Sequence, residues 1–296
     1  MPAPRRFPLP LIGAFFALYF IWGSTYLGIR IGVESWPPLM MGGIRFVIAG
    51  SLLYAYQRWR GVPAPTWRQW KAAGIIGVLL LSFGNGAVTL AEHTGVASGV
   101  AALTVATVPL FTLLCGYFWG ARNTGLEWAG IVLGLIGIAL LNMGSNLQSS
   151  PFGAVLLLLA AATWAFGSVW SKHLPLPPGG MASAAEMLVG GVVLLLASLI
   201  RGERMTQMPS TEGWLALLYL IVFGSIIAFN AYMYLLKHVR PAAATSYAYV
   251  NPAVAVLLGI LFADEHIGWH ECIAMGVIIS AVVLIGLPQW RKPKEA

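Results

Sequence analysis

Apolar residues in this chain run in long blocks, and the polar residues fall mainly in the short segments between them. A helix rises about 1.5 Å per residue, so about 20 mostly apolar residues cross the roughly 30 Å hydrocarbon core of a bilayer. Scanning with that length predicts ten spans, at roughly 9–30, 38–57, 72–92, 96–120, 127–143, 152–171, 181–200, 214–236, 241–263 and 270–288. The connections are short and leave no room for a soluble catalytic domain. The predicted fold class is therefore an all-α integral membrane protein of ten transmembrane helices.

Composition supports that reading. Of 296 residues, 58% are hydrophobic and 9% charged, whereas a soluble globular domain is about a quarter charged. The net charge of +7 raises nucleic acid as a partner. Its Lys and Arg, however, sit in small clusters between apolar blocks, the pattern that orients a protein in a bilayer. With the N-terminus in the cytoplasm, thirteen Lys and Arg fall on the cytoplasmic side, among them Arg58, Arg122, Lys172, Lys237 and Arg240. Three fall outside, Arg30, Arg201 and Arg204. Both termini are expected in the cytoplasm. The N-terminal Arg5 and Arg6 precede an apolar run without a small-residue cleavage site, so a retained first helix is expected. Cys115 and Cys272 lie singly in apolar blocks and suggest neither a disulfide framework nor a metal site.

One apolar block carries the unusual stretch "ATSYAYVNPAVAV", residues 244–256, and "ALTVATVPLFTLL", 102–114, echoes it with Pro109 and Pro252 lying 143 positions apart. At nearby spacings "IWGSTY" (21–26) echoes "AFGSVW" (165–170), and "FGNGAV" (83–88) echoes "AFNAYM" (228–233), which pairs Asn85 with Asn230. These echoes describe a duplicated five-helix unit, 1–145 followed by 146–296. A second copy of an odd-span unit enters the membrane inverted. Inverted repeats commonly place a substrate site near the midplane, between the halves. Proline removes a backbone donor, so Pro109 and Pro252 are expected to break their helices and free the carbonyls of Val105 and Ala248. Tyr247 and Asn251, four apart, share a helix face, and Thr104 with Thr107 forms a polar patch in the first copy. Trp22 and Trp164 fall near mid-depth beside the paired Gly23–Ser24 and Gly167–Ser168 sites. The candidate substrate-binding residues are thus Trp22, Ser24, Asn85, Thr104, Thr107, Trp164, Ser168, Asn230, Tyr247 and Asn251. Aromatic walls with few polar groups suit an amphipathic solute. The same residues also suit helix packing, since proline bends membrane helices and Thr or Asn bonds neighbouring ones.

Ten spans, a five-span repeat, "WGSTY" in the first helix and "RF" early in the second resemble the EamA-type drug/metabolite transporters. Further local matches are "VATVPLFT" and "TSYAYVNPAVAVLLG". The resemblance covers nearly the whole chain. It implies export of small metabolites or toxic amphiphiles, amino acids among them, from the bacterial cytoplasm across the inner membrane.

Arg45 and Glu186 lie within spans, at matching repeat positions. Inverted topology puts Arg45 about 10 Å below the outer surface and Glu186 about 8 Å above the inner one, so separate roles are expected. Arg45 either snorkels or caps carbonyls, or else anchors a substrate carboxylate. Glu186 is either an interfacial carboxylate or a site for a substrate amine or a proton.

Rival classes are an intramembrane enzyme and a membrane scaffold or receptor. "HIGWHE" (266–271) sets His266 and His270 one turn apart, but Ala274 follows "HECI" and the zinc pattern HExxH fails. A scaffold needs no duplicated polar faces at mid-depth. The expected reading is an exporter working by alternating access, with no cofactor and no metal. Its expected partners are a small solute, the lipid bilayer and protons. The glycine-spaced faces of the fifth and tenth helices suit pairing with a second copy.

Overall fold

The computed structural model describes residues 9–93, 104–141, 151–251, 253–254 and 269–290. Local signals open several of its helices. Thr66 accepts from the Gln69 amide while the Gln69 side chain accepts from Thr66, a reciprocal cap. Thr124 and Glu127 form a second such cap, and Ser210 accepts from the Gly213 amide at 3.1 Å. Pro38 opens another helix, where the Glu203 carboxylate accepts from the amides of Leu39 and Met40. A helix start leaves such donors unpaired and favours negative charge.

In chain order the helices are α1 Leu9–Val33, α2 Pro38–Trp59, α3 Trp67–Gly77, α4 Gly86–His93, α5 Val108–Gly116 and α6 Gly125–Leu141. There follow α7 Pro151–Trp170, α8 Gly180–Ile200, α9 Thr211–Tyr219, α10 Asn230–His238, α11 Pro241–Thr245 and α12 Trp269–Trp290. A π-helical stretch, Val78–Asn85, joins α3 to α4 without a break, and another, Leu220–Phe229, joins α9 to α10. Their starts lie 142 positions apart and their ends 144. Among the described residues there is no strand.

Six helices are long and apolar enough to cross a membrane: Leu9–Val33, Pro38–Trp59, Trp67–Ala91, Val155–His173, Gly180–Ile200 and Thr211–His238. Val108–Trp119, Gly125–Leu140 and Cys272–Pro288 are apolar but shorter. They coincide with the spans expected near 96–120, 127–143 and 270–288. The span expected at 241–263 is described only over 241–251 and 253–254. Length therefore assigns six crossings among the described residues. Large apolar side chains such as Phe16, Leu52, Leu159, Leu196 and Ile279 stand exposed on the helix surfaces, as they do where the solvent is lipid.

Two close helix crossings organise the packing. At the α2–α8 crossing, a Cβ on Gly43 would meet the Gly191 carbonyl, and one on Gly50 the backbone of Ala184 and Leu188. Only glycine lets these backbones approach so closely. At the α6–α12 crossing Gly130 faces the Ala281 carbonyl and Gly137 faces Ile278. The α6 glycines Gly130 and Gly137, on a face read as suited to a second copy, are thus turned to α12 within one chain, whereas a Cβ on Gly276 or Gly286 of α12 would meet nothing within 4 Å. The main core gathers Trp22, Phe46, Tyr232 and Tyr247, and a smaller one gathers Leu113, Ile131, Tyr249 and Ile278. Tyr247 and Tyr249, two apart on one helix, therefore serve different cores.

Candidate functional site

Trp22, Arg45, Asn85, Trp164, Tyr247 and Asn251 line one cavity of about 80 Å³. They come from α1, α2, the first π stretch, α7 and the segment after α11, so the cavity sits where the main core's helices converge.

Aromatic rings form much of its wall. The Trp22 centroid lies 4.7 Å from that of Tyr247, 5.2 Å from Tyr232 and 5.5 Å from Trp164. Tyr232 stands 5.6 Å from both Trp164 and Tyr247. These separations are those of attractive offset and edge-on ring pairs. Hydrogen bonds fix the rings. Trp22 Nε1 donates to the Gly224 carbonyl at 3.1 Å, and Trp164 Nε1 donates to the Tyr232 hydroxyl at 3.0 Å. Ser168 Oγ bonds the same hydroxyl. Gly84 lets the Trp164 ring lie against backbone, since a Cβ there would stand 2.6 Å from Trp164 Cε3.

Two polar groups in the wall are unusual. Arg45 is buried; its Nε donates to Ser225 Oγ at 2.8 Å and its guanidinium carbon sits 4.8 Å from the Phe46 ring centroid. The one ion pair among the described residues is Arg240 with Glu127, so Arg45 has no carboxylate partner there. Gly224 makes room for the guanidinium, because a Cβ there would stand 2.7 Å from Nη2. Asn251 is also buried, and its Oδ1 finds no hydrogen-bond partner among the described residues. A buried cation without a counter-ion and a buried acceptor without a donor both carry a desolvation cost that a complementary ligand offsets.

Other predicted residues lie elsewhere. Ser24 bonds the Tyr219 hydroxyl and donates to the Ile21 carbonyl, away from the cavity. Ser168 positions Tyr232 and donates to the Trp164 carbonyl. The Asn230 side chain donates to the Ile226 carbonyl at 2.7 Å, one turn back along its own helix. Thr107 donates to the Thr104 carbonyl and closes a turn, so the Thr104–Thr107 patch does not line the cavity. In each case a short polar side chain satisfies local backbone or a neighbouring ring, as Ser, Thr and Asn do in helices.

The first helix break also differs from expectation. It falls at Ala106–Thr107, and Pro109 sits in the first turn of α5, where its missing donor is not needed. In the second half the described chain turns at Ser246, after α11. There the Ser246 hydroxyl donates to the Ala243 carbonyl at 2.7 Å and meets the Tyr19 hydroxyl at 2.7 Å. Pro252 lies outside the described residues. Glu186 is buried on α8 and lines no part of the cavity; neither carboxylate oxygen has a partner among the described residues. Within "HIGWHE", 266–268 lie outside the described residues, as do the side chains of His270 and Glu271.

Sequence reading missed Thr25, Phe46, Val88 and Gly224, which also line the cavity. Thr25 was findable, because it lies three positions after Trp22 on the same helix face.

The sequence pattern of the EamA-like transporter family matches residues 10–143 and again 151–287. The chain is 57% identical to the uncharacterized inner membrane transporter YedA of Escherichia coli K12, over 97% of this chain and 94% of that one. It is 25% identical to the probable amino-acid metabolite efflux pump of the same organism, over 92% of this chain and 93% of that one. A solved crystal structure superposes with a TM-score of 0.78 at 21% identity, covering 95% of this chain and 99% of the other. At that identity the likeness concerns the fold.

Proposed function

The chain belongs to the EamA-like transporter family, and we propose that it is a secondary transporter of the bacterial inner membrane exporting small amphipathic solutes, amino acids foremost. One observation carries the choice of solute. An unpaired buried cation, Arg45, and an unpaired buried amide carbonyl, Asn251, line the same aromatic-walled cavity. An amino acid offers a carboxylate to the first and an ammonium donor to the second, while an apolar side chain suits the rings. The amino-acid efflux pump among its relatives supports the same class.

Drug-sized ligands occupy about 300–1,000 Å³, so a cavity of about 80 Å³ corresponds to a nearly closed state. Passage requires the helices to part. Alternating access between inverted units at 1–145 and 146–296 provides that movement. Support comes from the two π stretches, spaced as the sequence echoes are, and from the second helices of the two units, α2 and α8, packing on each other. Ten spans with both termini cytoplasmic follow from the repeat and the positive-inside pattern. Pairing of two copies through α6 and α12 would use their outward sides, with Val132 on α6 and Gly276 and Ile279 on α12, because Gly130 and Gly137 of α6 are taken up against α12.

Glu186 is assigned the coupling proton, since a buried carboxylate without a partner is best accommodated neutral. The test is flux of labelled phenylalanine, threonine and a lipophilic cation in proteoliposomes, with and without a pH gradient. Saturable phenylalanine or threonine flux supports the reading; flux of the cation alone, or of none, removes amino acids. Glu186→Gln should transport with no response to the gradient, and an unchanged response would take the coupling role from Glu186.

A further inference from the structure

Away from the aromatic cavity, a second and larger pocket of about 390 Å³ opens at the end of the molecule where α10, α11 and the start of α6 meet. Arg122, Lys172, Lys237 and Arg240 line it, against a single carboxylate, Glu127. Arg240 uses that carboxylate, with Nε 2.6 Å from Oε1, and also donates to the Arg122 carbonyl at 2.8 Å. Lys172 Nζ donates to the Val239 carbonyl at 2.9 Å, which holds the ammonium at the pocket without neutralising it. The other three cations make no ion pair among the described residues, Glu127 being the carboxylate in the pocket and already taken by Arg240.

Val239 also lines a groove of about 480 Å³ of opposite character. Phe15, Phe16, Tyr19, Ala243 and Val283 form its walls, and no charged side chain lines it. Its Tyr19 hydroxyl is bonded to Ser246, so the surface offered is apolar. Between Val239 and Ser246 the chain advances roughly 10 Å at helical rise. The groove thus runs from the basic pocket along the helices toward the membrane interior.

We propose that the two form one binding site for an anionic phospholipid, its headgroup phosphate among Arg122, Lys172 and Lys237 and one acyl chain in the groove. A soluble phosphate would use the basic pocket but has no use for the groove. A zwitterionic lipid would fill the groove but leave the surplus charge unmatched. Only a molecule with a net negative head and an apolar tail complements both. Basic pockets between helices at the cytoplasmic face commonly hold such headgroups. The site rests on the membrane-spanning reading and on this end facing the inner leaflet; it is independent of the solute carried.

The experiment measures lipid retention by the purified full-length chain in detergent. It compares phosphatidylglycerol with phosphatidylethanolamine, and uses glycerol 3-phosphate as a soluble competitor. Phosphatidylglycerol should be retained in preference to phosphatidylethanolamine and resist competition. The pair Lys172→Gln with Lys237→Gln should weaken retention about tenfold or more, since each cation near an anionic surface contributes. Gly286→Leu tests the groove separately. A Cβ at Gly286 meets nothing within 4 Å, so the substitution fills the groove without displacing neighbours, and it should weaken retention several-fold. The control pair Arg60→Gln with Arg68→Gln, outside the pocket, should retain the lipid normally. Equal retention of both lipids, or retention unaffected by the Lys pair, overturns the proposal. Strong competition by glycerol 3-phosphate with no effect of Gly286→Leu identifies a soluble-anion site instead and overturns the lipid. None of these outcomes depends on solute flux, so loss of this site leaves the transport reading intact, and the reverse.

Discussion

The two π-helical stretches are alike in position and different in use. Ser82 and Ser225 lie 143 positions apart, one in each stretch. Ser82 donates to the Gly190 carbonyl on α8, while Ser225 accepts from Arg45 on α2. Each stretch thus reaches the second helix of the other half, but one contact is backbone packing and the other holds a buried cation. Their glycines repeat the contrast. Gly84 backs the Trp164 ring and Gly224 makes way for the Arg45 guanidinium. Asn85 lines the cavity, whereas Asn230 returns to the Ile226 carbonyl of its own helix. The two stretches are equivalent in position, and the side chains that meet each of them differ. Single-turn π insertions are common at functional sites; here the first supplies a wall and the second positions a charge.

The sharpest way to test this difference is to compare Arg45→Gln with Ser82→Ala. Losing a buried charge that pairs with a ligand costs about 2–5 kcal/mol, so Arg45→Gln should lower kcat/KM for a carboxylate solute by about 30-fold or more. Ser82→Ala should leave flux within about twofold and lower stability by about 1 kcal/mol. Equal damage to flux from both would erase the distinction. Proteoliposome flux and thermal denaturation of the same samples measure the two effects.

Gly84→Ala and Gly224→Ala probe the same pair of sites through backbone space. The new methyl at 84 meets a large ring and should cost about 1–3 kcal/mol of stability through overpacking. At 224 it meets the end of a flexible arginine, which can move. Stability should change little there, while KM for a carboxylate solute rises several-fold because the guanidinium is displaced. Melting temperature against KM separates the two.

Smaller effects are expected at the asparagines. Asn85→Ala should raise KM with stability unchanged. Asn230→Ala should leave KM unchanged and cost about 1 kcal/mol, because the Ile226 carbonyl loses its partner. Tyr232→Phe should act on stability more than on flux, at about 1–3 kcal/mol, because Trp164 Nε1 loses its acceptor on the buried Tyr232. It removes the hydroxyl joining Trp164 to Ser168; flux should stay within about threefold, since that hydroxyl does not line the cavity.

Much of the site could be read along the chain. Tyr247 and Asn251 share a face by their spacing of four, and both line the cavity. Trp22 and Trp164 stood out because aromatic rings at mid-depth lie away from the interfacial belts. The Gly-Ser pairs misled. Gly23 and Gly167 mark close packing, against Val254 and Leu80, and their neighbouring serines follow them into the packed interface. On a helix one position is about 100° of rotation, so choosing Ser24 over Thr25 selects the wrong face. Pro109 marked the region of the first break but not its residue, because the Thr107 hydroxyl closes the turn there.

Composition and spacing along the chain are enough to specify an all-helical membrane protein, its family and several of the rings and polar groups that meet at its centre. Those properties follow from local quantities: block length, helical spacing and the cost of placing charge in lipid. The tertiary structure decided which of two matching residues faces the cavity, that Arg45 meets Ser225, and that Glu186 stays apart from both. Such choices depend on how closely two helices approach. A glycine on one helix sets that distance only through what the other helix presents to it.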